Sequence, residues 1–168
     1  MNTHDEHKSA APASIGCAII TCSDTRTPET DISGQLIHRL LKDHGHSVSA
    51  YHVVKDDPYQ IQLQIALDLI NPGVQAIILT GGTGVARRDS TFESVDELLE
   101  KRLDGFGQLF RMLSYQEIGS AAIMTRATAG VVKGRVLFSI PGSEHAVRLA
   151  MEKLILPELG HLVQQLAK

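Results

Sequence analysis

The sequence predicts an α/β fold built on a mainly parallel sheet. Three apolar, strand-like runs alternate with two helical stretches within about eighty residues, and this alternation is typical of right-handed crossovers between parallel strands. The chain has 168 residues, of which 43% are hydrophobic and 21% charged, as expected of one ordinary soluble domain. We therefore expect a single domain over residues 15–168, preceded by a polar N-terminal tail over residues 1–14.

The first strand is the apolar run from Ile15 to Cys22. Its nearly continuous hydrophobicity is typical of a parallel strand covered on both faces. A polar loop follows, and then residues 35–41 carry apolar side chains at helical spacing. Ser33 is the expected N-cap of this helix, and Gly45 is expected to end it.

The second half of the alternation begins at residues 48–54, which alternate like a strand. Pro58 opens the next helix, because proline fits the first helical turn, and an Asn-Pro-Gly turn at residues 71–73 ends it. Residues 76–79 form the third strand. The second helix is expected to bury its apolar residues on and around one side, namely Ile61, Leu63, Ile65, Leu67, Leu69 and Ile70.

Beyond the third strand the pattern predicts two further helical stretches and then a hairpin. The hairpin spans residues 125–140 and turns tightly at Lys133 and Gly134. Residues 145–167 form a closing helix with Pro157 as its expected kink. The sheet thus gains a C-terminal hairpin.

Composition excludes several classes of function. A net charge of −3 without a Lys and Arg cluster lacks the electrostatic footprint of nucleic-acid binding, and no apolar run approaches the roughly 20 residues that cross a bilayer. Cys17 and Cys22 would point to opposite faces of a strand, so neither a disulfide nor a zinc site is expected. Two reduced thiols fit a cytoplasmic location.

The most informative segment is the glycine-rich loop that follows the third strand, Thr80-Gly81-Gly82-Thr83-Gly84. Three glycines in four positions let backbone N–H groups converge on an anion, and open α/β sheets bind ligands at the carboxyl ends of their strands. The loop therefore predicts phosphate binding. The alternative is a glycine turn needed only for tight packing.

Charged and polar residues follow the strands at the same predicted edge. Arg88 and Asp89 come directly after the glycine-rich loop and offer a cation for phosphate and a carboxylate for Mg²⁺, although a surface ion pair is the alternative. Asp56 follows the second strand, where helix capping would also explain it. Polar residues after the first and last strands complete this edge, namely Asp24, Asp31, Ser33, Pro141, Gly142 and Ser143.

Several motifs in order resemble the MoaB/Mog molybdenum cofactor family, which also includes the G domain of gephyrin-type proteins. The resemblance covers nearly the whole chain after about residue 14. It is carried by the glycine-rich loop with Asp89, by Gly105-Phe106-Gly107, Phe110-Arg111-Met112-Leu113-Ser114 and Glu117-Ile118-Gly119, and by Arg126-Ala127, Ala129-Gly130 and Pro141-Gly142-Ser143.

The resemblance implies a three-layer α/β/α domain that binds molybdopterin and transfers AMP from Mg·ATP to its terminal phosphate. Asp89 matches the essential loop aspartate of the family, and Asp56 matches a carboxylate near the nucleotide; both are implied as catalytic residues and Mg²⁺ ligands. The resemblance also implies substrate or phosphate contacts at Asp24, Asp31, Ser33, Gly34, Thr80, Gly81, Gly82, Thr83, Gly84, Arg88, Thr91, Ser114, Arg126, Pro141, Gly142 and Ser143.

Two departures point to the MoaB branch and leave alternatives open. Where the adenylyl-transferring branch has Thr-Pro-Arg-Asp-x-Thr-Pro-Glu, residues 86–93 keep the Arg, Asp, Thr and Glu but lack both prolines, and Ser143 replaces an Asn. A non-catalytic molybdopterin carrier or scaffold is therefore the alternative to the transferase, and a nucleotide-phosphate hydrolase is a third hypothesis.

The family resemblance also implies trimers, or hexamers of two trimers, and contact with other proteins of the pathway. Apolar residues recur at helical spacing in one segment and offer a surface for such association, although an internal core face would explain them equally well. These residues are Phe106, Leu109, Phe110, Met112 and Tyr115.

Overall fold

The structure, a computed structural model, describes residues 12–168, so most of the predicted N-terminal tail lies outside the described residues. Six strands form one sheet: β1 (Gly16–Cys22), β2 (Ser47–Val54), β3 (Ala76–Thr80), β4 (Lys101–Arg102), β5 (Thr128–Val132) and β6 (Arg135–Ile140). Their order is β2-β1-β3-β6-β5-β4. β2, β1, β3 and β6 are parallel, whereas β5 runs antiparallel to both of its neighbours. The mainly parallel sheet and the hairpin are confirmed.

Six α-helices connect and flank these strands. They are α1 (Ile32–Asp43), α2 (Pro58–Leu69), α3 (Thr91–Asp96), α4 (Asp104–Ile118), α5 (Glu144–Ala150) and α6 (Leu156–Leu166). A 3₁₀ segment, Gly119–Met124, follows α4. None of the helices in residues 12–168 is both long enough and apolar enough to span a membrane.

The helices cover both faces of the sheet and give the predicted three layers. Alternate residues along β1 enter two separate cores, because successive strand side chains point to opposite faces. Ile19 packs with residues of α1, α4, α5 and α6, whereas Ile20 packs with Ile61 and Ile65 of α2 and with Val95 of α3. Each fully buried aliphatic side chain contributes about 1.5–3 kcal/mol of transfer free energy, so the two cores hold the layers together.

Asp31, not Ser33, caps the first helix. Asp31 Oδ1 accepts a hydrogen bond of 3.0 Å from the Gly34 N–H, which satisfies one of the free donors of the first turn. Ser33 already lies within the helix, and its hydroxyl donates 2.7 Å to the carbonyl oxygen of Gly142 instead. The predicted cap was wrong because a second capping residue stands two positions earlier.

The second helix buries a narrower stripe than its composition predicts. Ile61 and Ile65, four residues apart, are fully buried against the sheet. Leu63, Leu67 and Ile70 are instead 46%, 50% and 77% exposed, because they lie on the opposite side of the helix. The prediction that all these residues lie around the buried side was therefore wrong for these three.

Two backbone irregularities occur where the sequence predicts them. Lys133 and Gly134, with φ of 46° and 72°, form the turn between β5 and β6, as a two-residue hairpin loop requires positive φ at both positions. In the closing helix a π-helical segment, Met151–Ile155, directly precedes α6 and Pro157. Proline cannot donate the backbone hydrogen bond of a regular helix, so the irregularity is expected there.

The sheet brings three loops to one edge. β1 lies between β2 and β3, so the chain places its second strand on one side of β1 and its third strand on the other side. β6 lies next to β3. The loops after parallel strands emerge at the carboxyl edge, where such a change of side opens a crevice. Residues 23–31, 81–90 and 141–143 therefore surround a common space.

A buried carboxylate makes the stability of the fold depend on pH. Asp68 of α2 is almost fully buried, and its Oδ1 lies 3.3 Å from His52 Nε2 on β2. Burial raises the pKa of Asp68, although His52 partly offsets this rise. The folded state thus favours protonated Asp68, so this group's contribution to stability is lost as pH rises from the ordinary carboxyl pKa through the raised one.

We expect Asp68→Asn to remove this dependence. As pH rises from the ordinary carboxyl pKa through the raised one, the free energy of unfolding of the wild type minus that of the variant will fall. The total fall is about 1.4 kcal/mol for each unit by which the pKa is raised. Urea denaturation of both proteins at several pH values, from about 4 to about 7, measures the difference. A constant difference across this range contradicts the assignment.

Candidate functional site

A cleft of about 580 Å³ lies at the carboxyl ends of β1, β3 and β6. All three loops of this edge contribute to it, together with the segment that precedes β5. Its lining consists of Cys22, Ser23, Thr25, Arg26, Gly81, Gly82, Thr83, Gly84, Asp89, Met124, Thr125, Arg126, Pro141, Gly142 and Ser143. The structure thus brings the glycine-rich loop, Asp89, Arg126 and the Pro-Gly-Ser turn together, as the sequence predicts.

Two smaller cavities adjoin the cleft. One, of about 170 Å³ and here called the carboxylate cavity, is lined by Asp24, Asp56, Asp89 and Arg88 together with Cys22, Ser23, Thr25 and Gly82. The other, of about 400 Å³, is lined by residues of the segment 85–93 and by Arg126. Asp89 lines all three spaces, so it stands where they meet.

The glycine-rich loop lies against the carboxylates at a distance that only glycine permits. Gly82 adopts a φ of +62°, and a Cβ there would overlap Asp56 Oδ2 and Thr91 Oγ1. A Cβ on Gly84 would likewise overlap Asp89 Oδ2. The glycines therefore serve tight packing, the alternative raised by the sequence. The partners in this packing are the two carboxylates implied as catalytic.

Asp56 is held by hydrogen bonds from the loop after β3. Its Oδ1 accepts from the Ser90 N–H at 3.1 Å and from the Ser90 hydroxyl at 2.9 Å. The Asp56 N–H in turn donates 3.2 Å to Asp24 Oδ1. Burial raises the pKa of Asp56, the Ser90 hydrogen bonds oppose this, and the negative charges of Asp89 and Asp24 add to the rise.

This set of oxygen donors fits a divalent cation shared with a phosphate ligand. Among the described residues no group of three or more His, Cys, Asp or Glu side chains is arranged as a complete metal cage. Mg²⁺ commonly binds one or two carboxylates and takes its other ligands from phosphates and water. Asp56 and Asp89, which line one cavity, suit that role, because a cation would offset the burial that raises the pKa of Asp56 and the repulsion from Asp89 and Asp24 that adds to it.

Arg126 braces the glycine-rich loop from the side of the cleft. Its guanidinium donates to the carbonyl oxygens of Thr83 at 3.0 Å and Gly84 at 2.5 Å, and it pairs with Glu93. This pairing lowers the pKa of Glu93. The guanidinium carbon also lies 5.0 Å from the centre of the Phe92 ring, within the range of a cation–π contact. Arg126 thus lines the cleft, but its donors are already bonded to the loop and to Glu93.

Arg26 lines the cleft as well, and the sequence analysis did not select it. Its Nη1 donates to Asp31 Oδ1 at 3.4 Å and to Ser33 Oγ at 3.2 Å. A single arginine in a polar loop belongs to no periodic or spaced pattern, so only its place three residues after Ser23, at the end of β1, could have indicated it.

Three residues at the start of α1 lie behind the wall of the cleft. Asp31 is fully buried, and Ser33 reaches the cleft only through its bond to the carbonyl of Gly142. Gly34 lies against Asp31 and Tyr51, where any side chain would overlap both. The structure therefore places Asp31, Ser33 and Gly34 as supports of the wall and not on its surface.

Some of the remaining candidate site residues support the wall of the cleft, and others line the cleft or lie away from it. The buried hydroxyl of Thr80 donates 3.2 Å to the Pro141 carbonyl, and the buried Thr91 N–H donates 3.0 Å to the Gly82 carbonyl, so both tie the wall together. Ser143 lines the cleft and also caps α5, since its Oγ accepts from the Ala146 N–H. Ser114 lines neither the cleft nor the two cavities beside it, and its hydroxyl donates to Phe110 within α4.

Cys22 lines the cleft but does not suit nucleophilic chemistry. Burial raises the pKa of its thiol to about 12, so the thiolate is scarce at neutral pH. The remaining lining can supply charge neutralisation and positioning of an anionic ligand, because it contains the glycine-rich loop, two arginines, and the carboxylates beside them.

Comparisons with known proteins agree with this geometry. The family described as "probable molybdopterin binding domain" matches residues 18–161. A molybdenum cofactor biosynthesis protein B of Bacillus cereus is 52% identical over 162 residues, which are 96% of each chain. The crystal structure of a molybdenum cofactor biosynthesis protein B, 52% identical, covers 94% of this chain and 98% of its own with a TM-score of 0.91.

A more distant structure shares the same fold. The tungsten cofactor synthesizing protein MoaB from Pyrococcus furiosus is 37% identical, covers 94% of this chain and all of its own, and has a TM-score of 0.84. The sequence resemblance is thereby confirmed over nearly the whole described chain: it belongs to the MoaB/Mog family of molybdenum cofactor biosynthesis proteins, which carry a molybdopterin-binding domain.

Proposed function

We propose that this protein transfers AMP from Mg·ATP to the terminal phosphate of molybdopterin. The observation that carries the proposal is the carboxylate cavity, in which Asp56 and Asp89 open beside the glycine-rich loop of the main cleft. A molybdopterin-binding domain needs no such pair merely to hold an anion, since carboxylates repel phosphate. A nucleotide that arrives with Mg²⁺ gives them a role.

The reaction needs positioning more than proton transfer. A phosphate oxygen of molybdopterin attacks the α-phosphorus of ATP, a new P–O bond forms, and the bond to the β-phosphate breaks, so that pyrophosphate leaves. The attacking oxygen is already anionic near neutral pH, and no general base is required. Alignment and charge neutralisation supply the rate enhancement.

Each part of the site has a defined task in this scheme. Asp56 and Asp89 would hold Mg²⁺, which would supply charge neutralisation to the triphosphate. Arg88, at the carboxylate cavity, adds a second positive charge there. The loop N–H groups, held in place by Arg126, present donors to phosphate oxygens.

A non-catalytic carrier or scaffold of molybdopterin is the second candidate. It is favoured by the segment that precedes and opens α3, where Ala86-Arg87-Arg88-Asp89-Ser90-Thr91-Phe92-Glu93 lacks the two prolines of the adenylyl-transferring branch. The ring of Phe92, in place of the second proline, lies beneath Arg126. A loop held by the contact of Phe92 with Arg126, and not by prolines, would still line a molybdopterin cleft.

We further propose that copies of the chain assemble into trimers or hexamers and act in the cytoplasm with other proteins of the pathway. Phe106 and Phe110 of α4 are buried, whereas Leu109, Met112 and Tyr115 are 47%, 51% and 65% exposed. The internal-core alternative thus accounts for two of the five residues only. Both cysteines are free and buried, as suits a reducing compartment.

Removing either carboxylate tests the transferase. We expect Asp89→Asn and Asp56→Asn each to lower the rate of AMP transfer by about a hundredfold or more, because neutral amides hold Mg²⁺ poorly. Purified protein, molybdopterin, ATP and Mg²⁺ are mixed, and adenylated molybdopterin is quantified by mass spectrometry. Molybdopterin binding is measured in parallel and should persist in both variants.

Asp57→Asn provides the matched control. Asp57 adjoins Asp56 but caps α2 by accepting from the Gln60 N–H, and asparagine caps a helix equally well. This variant should transfer AMP at the wild-type rate. If wild-type protein binds molybdopterin but neither forms product nor binds ATP, the carrier is established instead. ATP turnover without molybdopterin would establish the hydrolase.

Substitutions on the exposed side of α4 test whether copies of the chain assemble. We expect wild-type protein to sediment as a trimer or larger, and Leu109→Asp with Tyr115→Asp to dissociate it, because buried unpaired charges are costly in an interface. Analytical ultracentrifugation at micromolar concentration measures the mass. Wild-type protein that sediments as a monomer contradicts the proposal.

A further inference from the structure

Two arginines line the main cleft, and they differ in the donors they have left. Arg126 commits Nε, Nη1 and Nη2 to Thr83, Gly84 and Glu93. Arg26 commits only Nη1, to Asp31 and Ser33; within residues 12–168 its Nε and Nη2 donate to no protein acceptor. Arg26 is therefore the cleft arginine with unused donors.

The Arg26 side chain is held by a chain of hydrogen bonds that begins on β2. The Tyr51 hydroxyl donates 2.6 Å to Asp31 Oδ2, and Asp31 Oδ1 accepts from Arg26. Ser33 Oγ accepts from Arg26 and donates 2.7 Å to the carbonyl oxygen of Gly142, a residue of the cleft lining. Burial and the bond to Asp31 raise the pKa of Tyr51, which keeps its hydroxyl protonated as a donor.

This arrangement fixes a long side chain before any ligand arrives. The Arg26 side chain is 35% exposed, whereas Asp31 beneath it is fully buried. The ion pair with Asp31 leaves part of the Arg26 guanidinium available to a ligand, because its Nε and Nη2 donate to no protein acceptor within residues 12–168. An arginine with its rotamer already set loses less conformational entropy when it binds an oxyanion.

Charge divides the cleft into two ends. Asp24, Asp56 and Asp89 line the carboxylate cavity beside the single cation Arg88, so that end favours an anion that brings a divalent cation. Arg26 lines the main cleft and does not line the carboxylate cavity. A phosphate without a metal ion is attracted to the Arg26 end.

We propose that Arg26 binds the terminal phosphate monoester of molybdopterin and that Tyr51, acting through Asp31, is its positioning residue. The inference rests on the proposed function for the identity of the ligand and assigns its phosphate to the end of the cleft away from the carboxylate cavity. The triphosphate of ATP, which carries Mg²⁺, occupies the other end. Arg26 thereby separates the acceptor phosphate from the donor.

Binding measurements on single-site variants test this assignment. We expect Arg26→Gln to weaken molybdopterin binding about 10- to 100-fold, as the loss of a charged hydrogen bond implies, and to leave Mg·ATP binding within about twofold. Arg26→Lys should keep part of the affinity. Tyr51→Phe should weaken molybdopterin binding several-fold without removing any ligand contact, and Mg·ATP binding should stay unchanged. Isothermal titration calorimetry with each ligand alone supplies the constants.

Two controls separate a phosphate contact from a general disturbance. Arg39→Gln removes one positive charge from the exposed side of α1 and should change neither affinity. Molybdopterin freed of its phosphate by phosphatase should bind wild type and Arg26→Gln equally. Equal weakening for the intact and dephosphorylated ligands would show a structural role and overturn the inference, as would wild-type affinity in Arg26→Gln.

The result stays separate from the test of AMP transfer. If wild-type protein forms no adenylated product while Arg26→Gln still loses affinity for the phosphorylated ligand alone, the transferase fails and the Arg26 site stands. If product forms and Arg26→Gln binds molybdopterin normally, the transferase stands and the Arg26 site fails. Should Arg26→Gln not fold, Arg26→Lys and Tyr51→Phe carry the same comparison.

Discussion

The close approach of the glycine-rich loop to the carboxylates is the constraint on which the rest of the site depends. Gly82, with its positive φ, lies against Asp56 and Thr91, and Gly84 lies against Asp89, so close that a Cβ at either position would overlap a side-chain oxygen. The register of β3 between β1 and β6 delivers the loop to that position. Two spaces then open side by side: a cleft lined by the glycine-rich loop, two arginines and Asp89, and a smaller cavity lined by three carboxylates and Arg88. A bulkier residue in the loop would push these two spaces apart.

The arginines of this edge perform different work, although the sequence presents them alike. Arg126 holds carbonyl oxygens of the loop and pairs with Glu93, so its positive charge is largely spent on structure. Arg26 is anchored by one nitrogen and keeps the rest of its donors. Arg88 lines the carboxylate cavity. The positive charges at this edge are therefore distributed over separate places: one supports the loop, one lies at the main cleft and one lies at the carboxylate cavity.

Strand periodicity, turn chemistry and the glycine-rich loop are local patterns, and they predicted the sheet, the hairpin and the position of the cleft. The assignment of Asp31 and Ser33 was less accurate because both residues can cap a helix and only the partners Tyr51 and Gly142 decide their roles. Those partners lie 20 and 109 positions away along the chain. Arg26 escaped notice for a different reason, because a single arginine in a polar loop belongs to no periodic or spaced pattern. Leu63 and Leu67 misled because apolar composition alone does not show how wide a stripe the sheet will cover.

The two residues that pin β2 have a consequence for solubility. β2 is an edge strand of eight residues, and within residues 12–168 one row of its backbone groups pairs with no neighbouring strand. Tyr51 and His52, adjacent on it, point to opposite faces and are tied to Asp31 and Asp68 on the two helical layers. The opposite edge, β4, is only two residues long and both are charged, which leaves little template for another strand. Of the two sheet edges in residues 12–168, β2 is therefore the one long enough to pair with a strand of another molecule, and the contacts of Tyr51 and His52 hold it against both helical layers.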